Sequence, residues 1–210
     1  ALAGGPLQKL QSQILQHIDE APVARDNALG IQRVQRQREE SSIAFFKGNA
    51  QRFRKQQELI VPWADYSDIT LQLLDRLETS TFDSLVEVGV GEGWLLPELH
   101  KRALSVTALD LSQKMLTLAR QHARHLPNIS FVHGSTDVLV QQGHQADAIV
   151  ANMVLHHTSQ PERVLAEAAS LLKPDGHLLI SELCAHDQAW AREHCGDLWL
   201  GFTPKQLEGL

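Results

Sequence analysis

The sequence predicts an α/β fold, a doubly wound and mainly parallel sheet carrying an N-terminal helical extension. Three observations lead there. From about residue 63, apolar strand segments alternate with helical ones. A glycine-rich turn, "VEVGVGEG" (86–93), closes the first strand. An acid, Asp110, closes the second.

The extension comes first in the chain. Leu7, Leu10, Ile14 and Ile18 recur at helical spacing with polar residues between them, and Ala21-Pro22 breaks the pattern. Residues 25–57, read as a helix, are unusually polar, and ten glutamines lie between Gln8 and Gln57. Their apolar face is too narrow for a core of their own. That suits an exposed connector or a dimerisation helix, with Phe45 and Phe46 docking onto the next domain. A surface hairpin without a partner is the plainer alternative. The predicted division is therefore a helical linker or dimerisation segment over 1–60 and an α/β domain over 61–210.

Within the domain, residues 68–78 read as a helix and 84–90 as a buried strand. Residues 94–103 read as a helix whose first turn tolerates Pro97. A strand over 105–110 leads to a helix over 112–126 that Ser112 can cap. Strands follow at 129–134 and 146–152, then a helix over 161–173 opened by Pro161 and closed by the turn "KPDG". The fifth strand spans 177–183.

Composition narrows the function. A net charge of −6 and a pI near 6.0 give no electrostatic footprint for nucleic acid or for an anionic membrane. No apolar run reaches the roughly 20 residues of a membrane span, and the first 30 residues lack a signal peptide's apolar core. Two cysteines, Cys184 and Cys195, suit a reducing compartment, so a cytoplasmic location is expected. The chain opens on Ala1 rather than Met and stops at Leu210, inside a helix that starts near Thr203-Pro204, so a fragment of a longer chain is expected.

In doubly wound sheets a ligand sits beyond the carboxyl ends of the strands, where the strand order reverses. The glycine turn lies there and lets backbone approach a ligand closely. Asp110, at the next strand end, can accept both hydroxyls of a ribose, so the pair reads as an adenosine site. The spacing Gly89-x-Gly91-x-Gly93 is one residue short of the dinucleotide fingerprint G-x-G-x-x-G. Glu87 and Glu92 flank the turn and no basic residue follows until Lys101. Two acids disfavour a pyrophosphate and suit a ligand carrying an ammonium and a sulfonium. A nicotinamide-dependent oxidoreductase is disfavoured on the same ground, and a turn that serves only strand–helix packing is the plainer alternative.

These residues resemble the class I S-adenosylmethionine-dependent methyltransferases from about Leu71 to Glu182. The resemblance implies that Gly89, Gly91 and Gly93 pack against the methionine part of the cofactor. It implies that Glu87 helps to hold the cofactor's amino group, that Asp110 holds the ribose, that Leu111 packs on the adenine, and that Met115 is among the cofactor-binding residues. "GSTD" (134–137) falls where many members carry a Gly-Asp pair, with Ser135 in place of the Asp. Ser135, the Thr136 backbone or Asp137 would then read the adenine, and Asn152 would lie beside the cofactor. S-adenosylmethionine is the implied cofactor, S-adenosylhomocysteine the product, and a small molecule or other unidentified acceptor receives the methyl group.

A narrower resemblance rests on "SSIAFFKGNAQRF" (41–53) and "REHCGDLWLGFTPKQLEGL" (192–210). These stretches look like ArsR-type transcriptional regulators with a C-terminal methyltransferase domain. That resemblance implies a homodimer through the N-terminal helices, DNA contact only through a winged helix missing from this chain, and a final strand hairpin missing after Leu210. It also implies a rival function, a non-catalytic sensor of S-adenosylmethionine or S-adenosylhomocysteine.

Remaining candidates are weaker. His156 and His157 stand at a strand-end loop as a base, an acceptor-binding pair or loop residues. Methyl transfer from a sulfonium needs mainly proximity, which favours the loop or lid role, and no catalytic residue is named. Cys184, His186, His194 and Cys195 lack zinc-ligand spacing, so no metal is expected. Trp190, Trp199 and Phe202 read as core before they read as a cover over the acceptor side.

Overall fold

The computed structural model describes residues 25–77 and 81–210. The helix expected over Leu7 to Ile18 and the break at Ala21-Pro22 lie outside the described residues. The chain divides into two compact units, residues 1–36 and 37–210. Helix α1 runs Arg25–Gln57. In the first unit its described residues leave Leu29, Ile31 and Val34 about half exposed. In the second unit α1 is docked. Ser42 is buried and donates a hydrogen bond to the His157 carbonyl at 3.2 Å. The Phe45 ring lies so close to Gly196 that a Cβ there would fall within 2.5 Å of it. Phe46 packs edge-on against His157, 4.9 Å between ring centres.

Helix α2 (Trp63–Arg76) precedes a five-stranded sheet. Its strands are β1 (Phe82–Val88), β2 (Ala103–Asp110), β3 (Ile129–His133), β4 (Ala146–Asn152) and β5 (Leu172–Ser181). Between them run α3 (Leu96–His100), α4 (Gln113–His122), α5 (Thr136–Gln141), a 3-10 turn (Leu155–His157) and α6 (Pro161–Ser170). Short helices α7 (Ala191–His194) and α8 (Pro204–Glu208) follow. The strand order is β3-β2-β1-β4-β5 and every pairing is parallel. This is the expected doubly wound sheet. Both faces of β1 are covered: Leu85 packs into one apolar cluster with Leu96, Leu116 and Val150, and Val86 into the other with Leu139 and Ile149. Burial on both faces explains why the strand reads as a continuous apolar run. Among the described residues no helix is long and apolar enough to cross a membrane.

Boundaries differ where pairing overrides local pattern. Ala103 pairs with Phe82, so β2 starts two residues earlier than expected and the preceding helix shrinks to α3, with Pro97 in its first turn. Ser112 caps α4 by accepting from the Met115 N–H at 3.3 Å. Helix α6 ends at Ser170 because Leu172 already pairs with Ala146. The strand resumes with His177 opposite Ala148, so "KPDG" is an excursion within β5, with Asp175 at φ 63°. Helix α5 went unpredicted. Its six residues, Thr136 to Gln141, are too few to show a period.

Candidate functional site

Strand order reverses between β1 and β4, which places the crevice beyond their carboxyl ends. Two adjoining clefts open there, sharing Gly89, Gly91 and Met153 as a common wall. The larger, about 820 Å³, lies beyond β2 and β3 and is lined by Asp110, Leu111, Met115, Ser135 and Thr136, with Phe46 of α1 across it. The smaller, about 680 Å³, is lined by Glu87, Asn152, Tyr66 and Trp94. Nine of the ten residues singled out in the sequence line one cleft or both. The tenth, Gly93, does not.

The glycine turn is held by Asp110. Its Oδ2 accepts from the Gly91 N–H and its Oδ1 from the Ser112 N–H, each at 2.8 Å. A carboxylate offers about four lone pairs, so two remain for a ligand. Burial pushes the Asp110 carboxyl up to about 6, against the lowering effect of those two N–H groups. Gly91 has φ 54° and a Cβ added there would meet nothing within 4 Å, because the position faces the open clefts. Gly93 has φ 79° and its added Cβ would lie 2.9 Å from Leu96 Cδ1 and 3.0 Å from Ala119. One glycine borders open space. The other makes room for packing between the turn and α4.

Glu87 is 5% exposed, and its Oε2 is buried without a hydrogen-bond partner among the described residues. Burial, then the nearby Asp110, pushes its carboxyl up to about 8. A buried acid with an unused oxygen on a cleft wall is suited to a cationic group, which would restore its charge. The second acid of the turn, Glu92, is otherwise engaged and accepts from Trp94 Nε1 at 2.7 Å.

Other wall residues carry local commitments. The Ser135 hydroxyl donates to Asp137, and that of Thr136 to Glu167. Asn152 Oδ1 accepts from Thr70 Oγ1 at 2.9 Å, which also lies 2.9 Å from Ser181 Oγ, so α2 steadies the end of β4. Met153 adopts φ 58° where the two clefts meet, a left-handed backbone costing about 1–2 kcal/mol outside glycine. Strain of this kind gathers at functional sites.

His157 lines the larger cleft, whereas His156 is buried behind it. Glu182, from the end of β5, accepts from His156 Nδ1 at 2.5 Å and from the Leu155 N–H at 2.7 Å. Asp197 approaches both rings. Neither acid stood out in the sequence, since Glu182 is a lone carboxylate at a strand end and Asp197 one on a distant loop. Cys184, His186, His194 and Cys195 form no cluster of three or more metal-capable groups among the described residues. Phe202 is buried and Trp199 donates from Nε1 to the Thr158 carbonyl at 2.8 Å.

Comparison with known proteins gives residues 86–180 as a match to a family model described as a methyltransferase domain. A malonyl-[acyl-carrier protein] O-methyltransferase from Halalkalibacterium halodurans is 34% identical over 119 residues, which is 53% of this chain and 44% of that protein. A ubiquinone biosynthesis O-methyltransferase from Coxiella burnetii is 27% identical over 123 residues, 58% of this chain and 53% of that protein. The chain thus spans about half the length of these curated relatives. Among solved structures, a methyltransferase bound to its Trm112 activator from Haloferax volcanii superposes with a TM-score of 0.61 at 21% identity, over 78% of this chain and 73% of that one. The DhpI–SAM–HEP complex gives 0.56 at 19% identity, over 81% of this chain and 85% of that one. At these identities the structural likeness shows the fold.

Proposed function

We propose that the chain, whose residues 86–180 match a methyltransferase-domain model, binds S-adenosylmethionine across the two clefts and transfers its methyl group to an acceptor. The observation that carries this reading is the pairing of Asp110 with Glu87 around the shared wall at Gly91. Asp110 keeps two lone pairs for ribose hydroxyls, and Glu87 keeps an unsatisfied buried oxygen for an ammonium. Leu111 and Met115 offer the apolar surface that a purine needs, and Gly91 leaves room for the linking atoms. Adenine selection falls to backbone groups near Ser135 and Thr136 and to the lone pairs of their hydroxyls, whose protons are already donated to Asp137 and Glu167.

S-adenosylmethionine supplies a sulfonium methyl group that a nucleophile displaces in line. The chain's own part is to orient both reactants and exclude water. Phe46 and Ile43 of α1 cover the larger cleft with apolar surface for that purpose. The relatives named as O-methyltransferases support transfer to an acceptor oxygen. The test is calorimetric titration with S-adenosylmethionine and S-adenosylhomocysteine, followed by methyl transfer from labelled donor to an acceptor panel. One-to-one binding with turnover supports the enzyme; absence of binding sinks the reading.

A second reading is a ligand sensor within an ArsR-type regulator, dimeric through α1 and acting on DNA through a further module. It is favoured by Leu29, Ile31 and Val34, apolar residues on the exposed part of α1. A sensor requires different ligand affinities in its two states. Ligand-dependent change in dimerisation or DNA affinity, without turnover, would select it. The cytoplasmic location inferred from cysteine usage fits either reading, and both cysteines are free thiols.

A further inference from the structure

Behind the larger cleft, two neighbouring histidines of the 3-10 turn and one acid from a distant loop converge on one point. His156 Nε2 lies 3.9 Å from Asp197 Oδ1, and His157 Nδ1 lies 3.7 Å from the same oxygen. The three ligand-capable atoms all lie within 4.8 Å of one another. Asp197 is 3% exposed, yet neither of its carboxylate oxygens has a hydrogen-bond partner among the described residues. A buried carboxylate in that condition is costly unless a cation joins it.

The donors are also oriented. Glu182 accepts from His156 Nδ1 and is itself fixed by the Leu155, His156 and Leu183 N–H groups. With its proton on Nδ1, His156 presents the Nε2 lone pair toward Asp197. Two acceptors then face each other across 3.9 Å, too far for a shared proton and close to the span of two ligands on one ion. A zinc-class ion about 2.0–2.1 Å from each ligand holds tetrahedral partners roughly 3.4 Å apart, so each histidine nitrogen closes on Asp197 by about half an ångström or less and the two nitrogens draw in from within 4.8 Å of each other. A carboxylate on the outer nitrogen of a liganding histidine is the usual outer support of such sites. His157 coordinates through Nδ1 after giving up its 3.3 Å contact to the Gly196 carbonyl. The loop that brings Asp197 is anchored to His156, whose carbonyl accepts from the Leu198 and Trp199 N–H groups at 2.8 and 3.1 Å.

We infer that His156, His157 and Asp197 form a site for one divalent transition-metal ion of the zinc class, with Glu182 as the positioning residue for His156. The donor set, two imidazoles and one carboxylate, suits zinc, cobalt, nickel or iron and disfavours magnesium and calcium. Since His157 also lines the larger cleft, the ion stands at its wall. The inference is independent of methyl transfer.

The experiment is titration of the metal-free full chain with cobalt(II) alone, read by its visible d–d absorption, with zinc(II) as competitor and magnesium(II) as control. One equivalent of cobalt with a low-coordinate spectrum is expected, displaced by zinc and not by magnesium. Asp197→Asn and His157→Gln should each weaken binding at least tenfold, while His194→Gln should not. Thermal melting separates ligation from folding. Asp197→Asn removes a buried unpaired charge, so without metal it should melt no lower than the parent, and it should lose the zinc-induced rise in Tm. Cobalt affinity that is unchanged in both Asp197→Asn and His157→Gln overturns the inference. So does weak binding of several ions, spread over the chain's eleven histidines.

Discussion

Gly91 and Gly93 sit two residues apart with similar backbone, φ 54° and 79°, yet their surroundings assign them different work. Replacing either by Ala forces a left-handed conformation on a residue with a Cβ, at about 1–2 kcal/mol. At Gly91 nothing else is added, since the new methyl group points into open space. At Gly93 the methyl group would press on Leu96 and on the Ala119 backbone at 2.9 to 3.0 Å, and overpacking of that kind costs about a further 1–3 kcal/mol. Urea unfolding should therefore rank Gly93→Ala as the less stable. Calorimetry with S-adenosylhomocysteine should show the opposite pattern in Gly91→Ala, a folded protein that binds at least tenfold more weakly, or about 1.4 kcal/mol. Gly91→Val should bind no measurable ligand while remaining folded. Wild-type affinity in Gly91→Ala, or equal loss of stability at both positions, would refute the division of roles.

Asp110→Ala should weaken ligand binding at least tenfold and also loosen the turn, because the Gly91 and Ser112 N–H groups lose their acceptor; calorimetry beside urea unfolding reads both effects. Glu87 links stability to pH. Its carboxyl ionises near 4.5 when unfolded and near 8 when folded, so the native state holds the extra proton between those values. Stability should then fall as pH rises from about 5 to 8, by a few kcal/mol, and Glu87→Gln should flatten that slope. If a ligand ammonium ionises Glu87, binding near pH 7 should release a proton, seen as a dependence of the calorimetric heat on the buffer. Ser112→Ala removes the cap of α4 and should cost about 1 kcal/mol in urea unfolding.

The part of the candidate site built from one turn and one strand end was legible in the sequence as residues that line the clefts. Gly89, Gly91 and Asp110 announce themselves because they must occupy fixed places at consecutive strand ends, and the sheet puts those ends side by side. Gly93 was grouped with them on spacing alone. Only packing against Ala119 separates it. The ionisation of Glu87 depends on burial by several elements, which no local pattern records. Asp197 and Glu182 were illegible for a related reason: each is a lone acid whose partner histidines come from a loop tens of residues away. The fold was legible where periodicity was long. It blurred at α3, α5 and the start of β5, where segments are short and strand pairing decides the boundary.

The central claim is that the two clefts form one site for a cationic adenosine ligand. Competitive calorimetry at pH 7 with S-adenosylmethionine, S-adenosylhomocysteine and NAD tests it most directly. One-to-one binding of the first two, loss of that binding in Asp110→Ala, and no displacement by NAD are expected. Tight NAD binding that depends on Asp110, or no binding of either adenosyl ligand to the folded chain, would contradict it.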